Sequence, residues 1–334
     1  MIKNSSCVSI IIPNWNGEEF IGKCLDSILV QTFQNWEVIV VDCASSDKSA
    51  EIILQYAAKN PNVHLLQLTE DKGPTNALME GFKQKAKGDY ILFLNNDVIL
   101  PSDVLEILME EIQKRGDVVI SPVELDWNGD FRRAGGPFIL PGMKILKYFF
   151  EPIIEPFHPL MACCLCPKKI IQEYPLNEHL IMYEELEWAW RLHLNQIKII
   201  ISFDCAYLHK AEATNKRGSS RQTFLYSRLM ISQCYICFKK STLIFMSPFI
   251  FLYYVKLLGF ALLSGGLSSC SSAIKGLVDF YRNKHIFQKD REVVQRGRLD
   301  GDRQIIARML GSNIFRKKAK LQWETQKNKN HNYD

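Results

Sequence analysis

An α/β fold on a largely parallel sheet is what the first two-thirds of the chain predicts, and three observations predict it. Short apolar runs such as VSIIIP, EVIVVD and YILFL alternate with amphipathic stretches of helical spacing. The length, 334 residues, suits one large domain or two ordinary ones. A composition of 47% hydrophobic and 23% charged residues, with no internal repeat, excludes a disordered tail, a collagen and a disulfide-dense mini-protein.

The elements follow in order. Val8–Pro13 reads as a buried strand, ended by a proline that cannot donate to a ladder. Glu18–Val30 carries Phe20, Ile21, Leu25, Ile28 and Leu29 at helical spacing. Glu37–Asp42 is a strand, Ser46–Lys59 a helix, Asn62–Leu68 a strand and Thr75–Lys87 a helix. Tyr90–Leu94 is a strand that runs into Asn95, Asn96 and Asp97. Asp103–Lys114 is helical, and Val118–Ser121 begins another strand. Trp127–Gly142 (WNGDFRRAGGPFILPG) is turn-rich and reads as loops or an irregular hairpin. Glu184–Leu194 is a helix and Ile197–Ser202 a late strand. From Gln222 onward the chain turns helical and increasingly apolar.

Ten cysteines do not make a secreted framework here. Cys163, Cys164 and Cys166 crowd together, Cys43 ends an apolar run, and nothing before Val8 resembles a signal peptide. Reduced, mostly buried thiols in a cytosolic compartment are expected. Cys234 and Cys237 form one C-x-x-C with no second pair, which reads as two small apolar residues on a helix and not as zinc ligands.

Ligands bind beyond the carboxyl ends of strands in open α/β sheets. Those ends carry Asn14 and Asn16 after the first strand, Asp42 after the second, and Asn95 with Asp97 after Tyr90–Leu94. An acidic pair at one mouth is costly unless a cation or donor offsets it. Neither a G-x-G-x-x-G after the first strand nor a G-x-x-x-x-G-K-[ST] is present, so a diphosphate at this mouth requires a divalent metal. Hard oxygen ligands such as Asp97 suit Mg²⁺ or Mn²⁺.

The quoted blocks resemble a known family. VSIIIPNWNGEEFIGKCLDSILVQTFQNWEVIVVDCASSDKS, DKGPTNALMEGF, GDYILFLNNDVILP, MYEELEWAWR and AYLH are similar, in that order, to the signature blocks of family 2 inverting glycosyltransferases. GDFRRAGG and the Ser220–Arg228 region look most like the rhamnosyltransferase-type branch. The resemblance implies a GT-A fold, with a Rossmann-like, mostly parallel sheet and a helical C-terminal extension. It implies a catalytic domain over 1–240, with a donor-binding half to about 122 and an acceptor half from 123, and a membrane-associating region over 241–334.

The resemblance also implies roles. Asp42 matches the carboxylate that binds the nucleobase of a nucleoside diphosphate sugar, with Pro13, Asn14 and Asn16 in the same pocket and Asp47 closing the block. Asp97 matches the carboxylate that binds Mn²⁺ or Mg²⁺, Asn95 and Asn96 complete that motif, and His209 matches a histidine at the metal or diphosphate. Glu185 matches the base that takes the acceptor proton, and Glu184 precedes it. Lys72 and Arg191 are candidates to assist the leaving diphosphate. Cys43 stands where the family usually has Asn, and the base block reads Glu-Glu where Glu-Asp is usual. The activity implied is inverting transfer of a sugar to a glycan or polyprenyl-linked acceptor in cell-surface polysaccharide or glycoconjugate synthesis. A polyprenyl-phosphate glycosyltransferase and a non-catalytic sugar-nucleotide-binding subunit are the alternatives.

The net charge of +5 is unevenly placed. Residues 275–334 hold 15 Lys and Arg against 7 Asp and Glu, which leaves 26 against 29 in the rest. The basic tail follows Leu243–Leu263 (LIFMSPFIFLYYVKLLGFALL), an apolar run of bilayer length. Lys239 and Lys240 precede it, so a single span would set one basic flank outside, against the positive-inside tendency. An in-plane or re-entrant helix on the cytoplasmic face satisfies both flanks. The expected location is cytoplasmic, peripheral on the inner face of the membrane. No aromatic–basic interleaving points to nucleic acid.

Overall fold

The computed structural model describes residues 6–180, 184–210 and 219–330, without the side chains of Glu184 and of 328–330. Strands β1 (Val8–Asn14), β2 (Trp36–Cys43), β3 (Val63–Leu68) and β4 (Tyr90–Leu94) run parallel, in the order β3-β2-β1-β4. Helices α1 (Ile21–Leu29), α2 (Ser49–Lys59) and α3 (Pro74–Gln84) connect them. β2 is buried along its whole length, and β1 is buried at every residue except half-buried Pro13. That explains why these strands read as unbroken apolar runs, since helices cover both faces of a parallel sheet.

The second half departs from simple parallel order. β5 (Val98–Ile99), α4 (Val104–Arg115), β6 (Val118–Leu125), β7 (Phe131–Arg133), a 3₁₀ turn η1 (Met143–Tyr148) and β8 (Cys163–Pro167) come next. α5 (Lys168–Glu173), α6 (Glu184–Leu194) and β9 (Lys198–His209) follow. Among the described residues the strands form one nine-stranded sheet, continuing β4-β8-β6-β9-β5 with β7 paired to β6. β8 is antiparallel to both β4 and β6, whereas β6 and β9 are parallel. The predicted α/β class with a mostly parallel sheet is what the molecule has.

Several boundaries differ from expectation, each for a physical reason. β8, formed by CCLCP, was read only as buried thiols, because five apolar residues show neither period. All ten cysteines are free, and Cys234 and Cys237 lie buried in a helix. β6 runs on to Leu125 through Pro122, where the β6–β9 register shifts, so the proline sits at an irregularity. β9 likewise continues to His209 because β5 pairs with its end, Val98 opposite His209. The turn-rich segment holds an irregular hairpin: β7 returns along β6 after a turn in which Asp126 Oδ1 accepts from the Asn128 amide at 2.8 Å.

The C-terminal third is helical: α7 (Ser220–Cys237), α8 (Lys240–Arg282), α9 (Lys284–Gly297) and α10 (Asp302–Asn330). α8 is two arms broken at Gly266, whose φ of 63° and ψ of −158° no other residue type adopts easily. The arms fold back on each other, so that Cys270 Sγ lies 3.5 Å from Leu258 O, and one α7 residue, Ser227, bonds both. It donates to Ala273 O at 2.6 Å and accepts from Tyr254 Oη at 2.6 Å. One apolar cluster joins these helices to the sheet side of the molecule, with Phe138, Met143 and Trp190 packed against Phe238, Met246 and Met309.

Candidate active site

Parallel pairing sets Asn14 directly beside Asp42, at the carboxyl ends of β1 and β2. Asn14 Nδ2 donates to Asp42 Oδ1 at 2.8 Å, and the amide and hydroxyl of Ser45 donate to the same carboxylate at 3.2 and 2.6 Å. Asn96 Nδ2 in turn donates to Asn14 Oδ1 at 2.8 Å, so a chain of bonds ties three strand ends together. Asp42 and Asn14 are buried. Gly17 makes the chain possible: a Cβ there would lie 2.2 Å from Asn96 Nδ2 and 2.4 Å from Asn14 Oδ1. Ala44 holds a φ of 53° in the adjoining loop, a left-handed conformation that a tightly determined site tolerates.

Asn16 and Asp47 act as staples between the β1–α1 and β2–α2 loops. Asn16 Oδ1 accepts from the Ser46 amide at 2.9 Å, and the Asn16 amide donates to Ser45 Oγ at 2.9 Å. Asp47 accepts from the Glu18 amide at 3.0 Å while Glu18 accepts from the Lys48 amide at 3.0 Å. Burial would raise the Asp47 carboxyl, but its bonds from Ser49 and Glu18 hold it below the usual value.

Asp97 and His209 meet because β5 pairs with the end of β9. His209 Nε2 lies 3.1 Å from Asp97 Oδ1 and 3.5 Å from Asn95 Nδ2. On its other side Nδ1 is 3.4 Å from Glu124 Oε1, an ion-pair contact without hydrogen-bond geometry. Burial would lower the imidazole, but the two carboxylates outweigh it and raise His209 to about 9. Burial would equally raise Glu124, yet His209 and Arg133 bring it down to about 2. Glu124 Oε2 accepts from Arg133 Nε at 2.9 Å and from Tyr207 Oη at 2.8 Å. Glu124, Arg133 and Tyr207 were not singled out from sequence. The signal was there in an acid at the end of an otherwise apolar strand and in the Arg132-Arg133 pair.

The Asp97–His209 pair fits a divalent cation. Its 3.1 Å spacing is close to the edge, about 3.0 Å, of an octahedron with about 2.1 Å metal–ligand bonds. Among the described residues no three His, Cys, Asp or Glu side chains converge on one point. Two such side chains could hold a cation together with substrate oxygens, the usual habit of Mg²⁺ in phosphate sites.

Glu185 lies in the first turn of α6, half-buried. Burial raises its carboxyl above the ordinary range, and the nearby Arg133 guanidinium pulls it partly back. Arg133 therefore stands electrostatically between Glu185 and the Glu124–His209–Asp97 chain. The side chain of Glu184 lies outside the described residues. Glu187 is buried and accepts from Arg191 Nε at 2.7 Å, and Arg191 also bonds Pro175 O at 2.7 Å, an anchoring role that keeps it from a diphosphate. Lys72 pairs with Glu70 at 2.8 Å and lines a surface cavity with Thr69, Asn76 and Glu80. Trp188 packs edge-on against Phe93, and its Nε1 donates to Tyr174 O at 2.7 Å. Gly136 packs against the His158 ring, which a Cβ would approach to 1.7 Å.

Comparison with known proteins adds four findings. Residues 9–174 match the family described as Glycosyl transferase family 2. Glycosyltransferase GlyG of Streptococcus pneumoniae is 28% identical over 215 residues, 62% of this chain and 71% of that protein. Poly(ribitol-phosphate) beta-glucosyltransferase of Bacillus spizizenii is 39% identical over 100 residues, 29% of this chain but only 16% of that longer protein. The S. aureus TarS 1–349 structure in complex with UDP-GlcNAc superposes with a TM-score of 0.55 at 19% identity, covering 92% of this chain and 89% of that one. At that identity the likeness concerns the fold, which is of the GT-A type.

Proposed function

Residues 9–174 form a family 2 glycosyltransferase domain on a GT-A fold, and from that premise we propose that the chain transfers a sugar, with inversion, from a nucleoside diphosphate donor to a glycan or lipid-linked acceptor in cell-surface polysaccharide synthesis. The observation that carries this reading is the connected series Asp97, His209, Glu124 and Arg133, which links the pair proposed to hold the cation to the positive charge that acts on Glu185.

The mechanism is a single displacement. The acceptor hydroxyl oxygen bonds to the anomeric carbon, the bond from that carbon to the diphosphate oxygen breaks with its electron pair, and the acceptor proton passes to a Glu185 carboxylate oxygen. Asp42, held by Asn14 and Ser45, presents a fixed carboxylate to the nucleobase. Asp97 and His209 would hold Mn²⁺ or Mg²⁺, which supplies charge to stabilise the departing diphosphate. Glu124 faces the other ring nitrogen of His209 at 3.4 Å, the side on which metal-binding imidazoles commonly have a carboxylate. The departing diphosphate needs no proton, so one carboxylate base is enough.

The division into a donor half to about 122, an acceptor half to 240 and a membrane-attached region beyond belongs to the same proposal. It includes a cytoplasmic, peripheral location, supported by the outward apolar face of α8. The rhamnosyltransferase-like branch rests on GDFRRAGG and the Ser220–Arg228 region and is tested by including a deoxyhexose donor. Calorimetry of nucleotide-sugar binding with and without Mn²⁺ tests the donor site. The wild-type chain is expected to bind a donor in a metal-dependent way, and Asp97→Asn to lose the metal dependence. Equal binding by Asp97→Asn, with metal dependence kept, overturns the assignment.

A further inference from the structure

α8 is apolar on a face that a water-exposed helix normally charges. α7 covers one stripe of it, Met246, Ile250 and Tyr254 on the first arm with Ala273, Gly276 and Phe280 on the second. Outside that stripe Phe251 is 67% exposed, Leu263 90% and Leu267 81%. The most apolar 18-residue window has a mean hydropathy of 1.8 and is only 6% buried.

A segment distant in sequence extends this face. Gly142, at the start of η1, lies against α8: a Cβ on it would be 3.3 Å from Leu252 Cδ1. From that junction η1 turns outward, leaving Tyr148 76% and Phe149 71% exposed. Lys144 and Lys147 accompany them, with Lys147 Nζ 5.0 Å from the Tyr148 ring centre. No acidic residue occurs in 143–150 or in 241–278, whereas Lys256 and Lys275 are exposed on α8. The first acid beyond α8's apolar stretch, Asp279, is neutralised by Arg228 at 2.7 Å.

We propose that η1 and the outer face of α8 form one composite surface that lies on an anionic lipid bilayer, with α8 in the headgroup plane and not across the membrane. This rests on the membrane-attachment part of the function proposed above and specifies its geometry. The covered stripe ties α8 to α7 along both arms, and Leu252 touches the catalytic half, so a transmembrane placement would strip part of the apolar core. Lys256 would also sit mid-membrane in a span, where a charge is costly, but in the plane it reaches the phosphates while its stem stays among apolar groups. A second copy of this chain is the poorer occupant. Isologous pairing would set lysine-bearing faces against each other with no acid to compensate, while anionic headgroups complement every lysine.

The test uses the full chain and flotation with phosphatidylcholine vesicles, with and without about one-third phosphatidylglycerol. Wild type is expected to float with the anionic vesicles and to be released by alkaline carbonate. The exposed pair Tyr148→Glu with Phe149→Glu, at the end of η1 and outside α8, is expected to weaken binding about tenfold or more with an unchanged melting temperature. Leu263→Glu with Leu267→Glu, on the other part of the surface, is expected to do the same. Undiminished binding by the η1 variant, resistance to carbonate, or a dimer in sedimentation that the η1 variant dissolves each overturns the inference. Vesicle binding is read without donor or acceptor, so it stands or falls separately from the catalytic assignment.

Discussion

Glu124 shows how one buried side chain gives a site its electrostatic character. It faces a histidine, two arginines and a tyrosine at once, and its charge adds to that of Asp97 in raising His209. Glu124→Gln keeps the shape but removes the charge. It is expected to lower metal-dependent activity by about 10- to 100-fold, the usual effect of losing a group that orients a metal-binding histidine. Activity against Mn²⁺ concentration checks this, and an unchanged Mn²⁺ dependence contradicts it. Gly17 is the steric counterpart. Gly17→Ala drives a methyl into the Asn14–Asn96 bond and is expected to weaken donor binding about tenfold by calorimetry, with secondary structure intact by circular dichroism. Neither residue was singled out from sequence. Glu124 lies beyond Val118–Ser121, the stretch that reads as the start of its strand, and Gly17 matters only through side chains that the fold brings to it. Asp42 and Asn14 were legible because they close adjacent strands, and parallel register makes such residues neighbours.

At the level of elements, the sheet was readable wherever burial left a long apolar run and unreadable where an element depends on a distant partner. Tyr90–Leu94 and Glu184–Leu194 have the predicted bounds. β8 and the end of β9 exist because β4, β6 and β5 supply their hydrogen bonds, and no local pattern announces that. Helix α6 and the segment leading into β8 carry a pH liability. Burial and the charges of Arg308 and Arg133, respectively, hold His193 down to about 3 and His158 to about 4. Both are neutral in the folded chain but accept a proton near pH 6.5 when unfolded, so the unfolded state gains protons as pH falls. Stability is therefore complete above about pH 6.5 and declines toward pH 3, by about 2 kcal/mol per histidine between pH 6.5 and 5. Thermal melts across that range are expected to show the fall, and His193→Gln to show a shallower one.

On the scale of the whole molecule, the weak positive charge divides into an acidic-leaning catalytic body and a basic helical end. In the function proposed here, the carboxylates of the body serve a cation and a base. The helical end and η1 turn apolar and lysine side chains outward together. The distribution of charge was visible in the sequence. The sharing of one surface by η1 and α8 was not, because residues 143–149 are too few to show a period and the contact of Gly142 with Leu252 is tertiary. In the mechanism proposed, Glu185, raised by burial and tempered by Arg133, removes the acceptor proton. The most direct test is the rate of sugar transfer by wild type and Glu185→Gln at saturating donor and Mn²⁺, with donor affinity measured in parallel. A loss of about 10²- to 10⁴-fold in rate with donor affinity unchanged is expected, with a wild-type acid limb above the pH of an ordinary carboxylate. A Glu185→Gln enzyme that transfers sugar at the wild-type rate would contradict it.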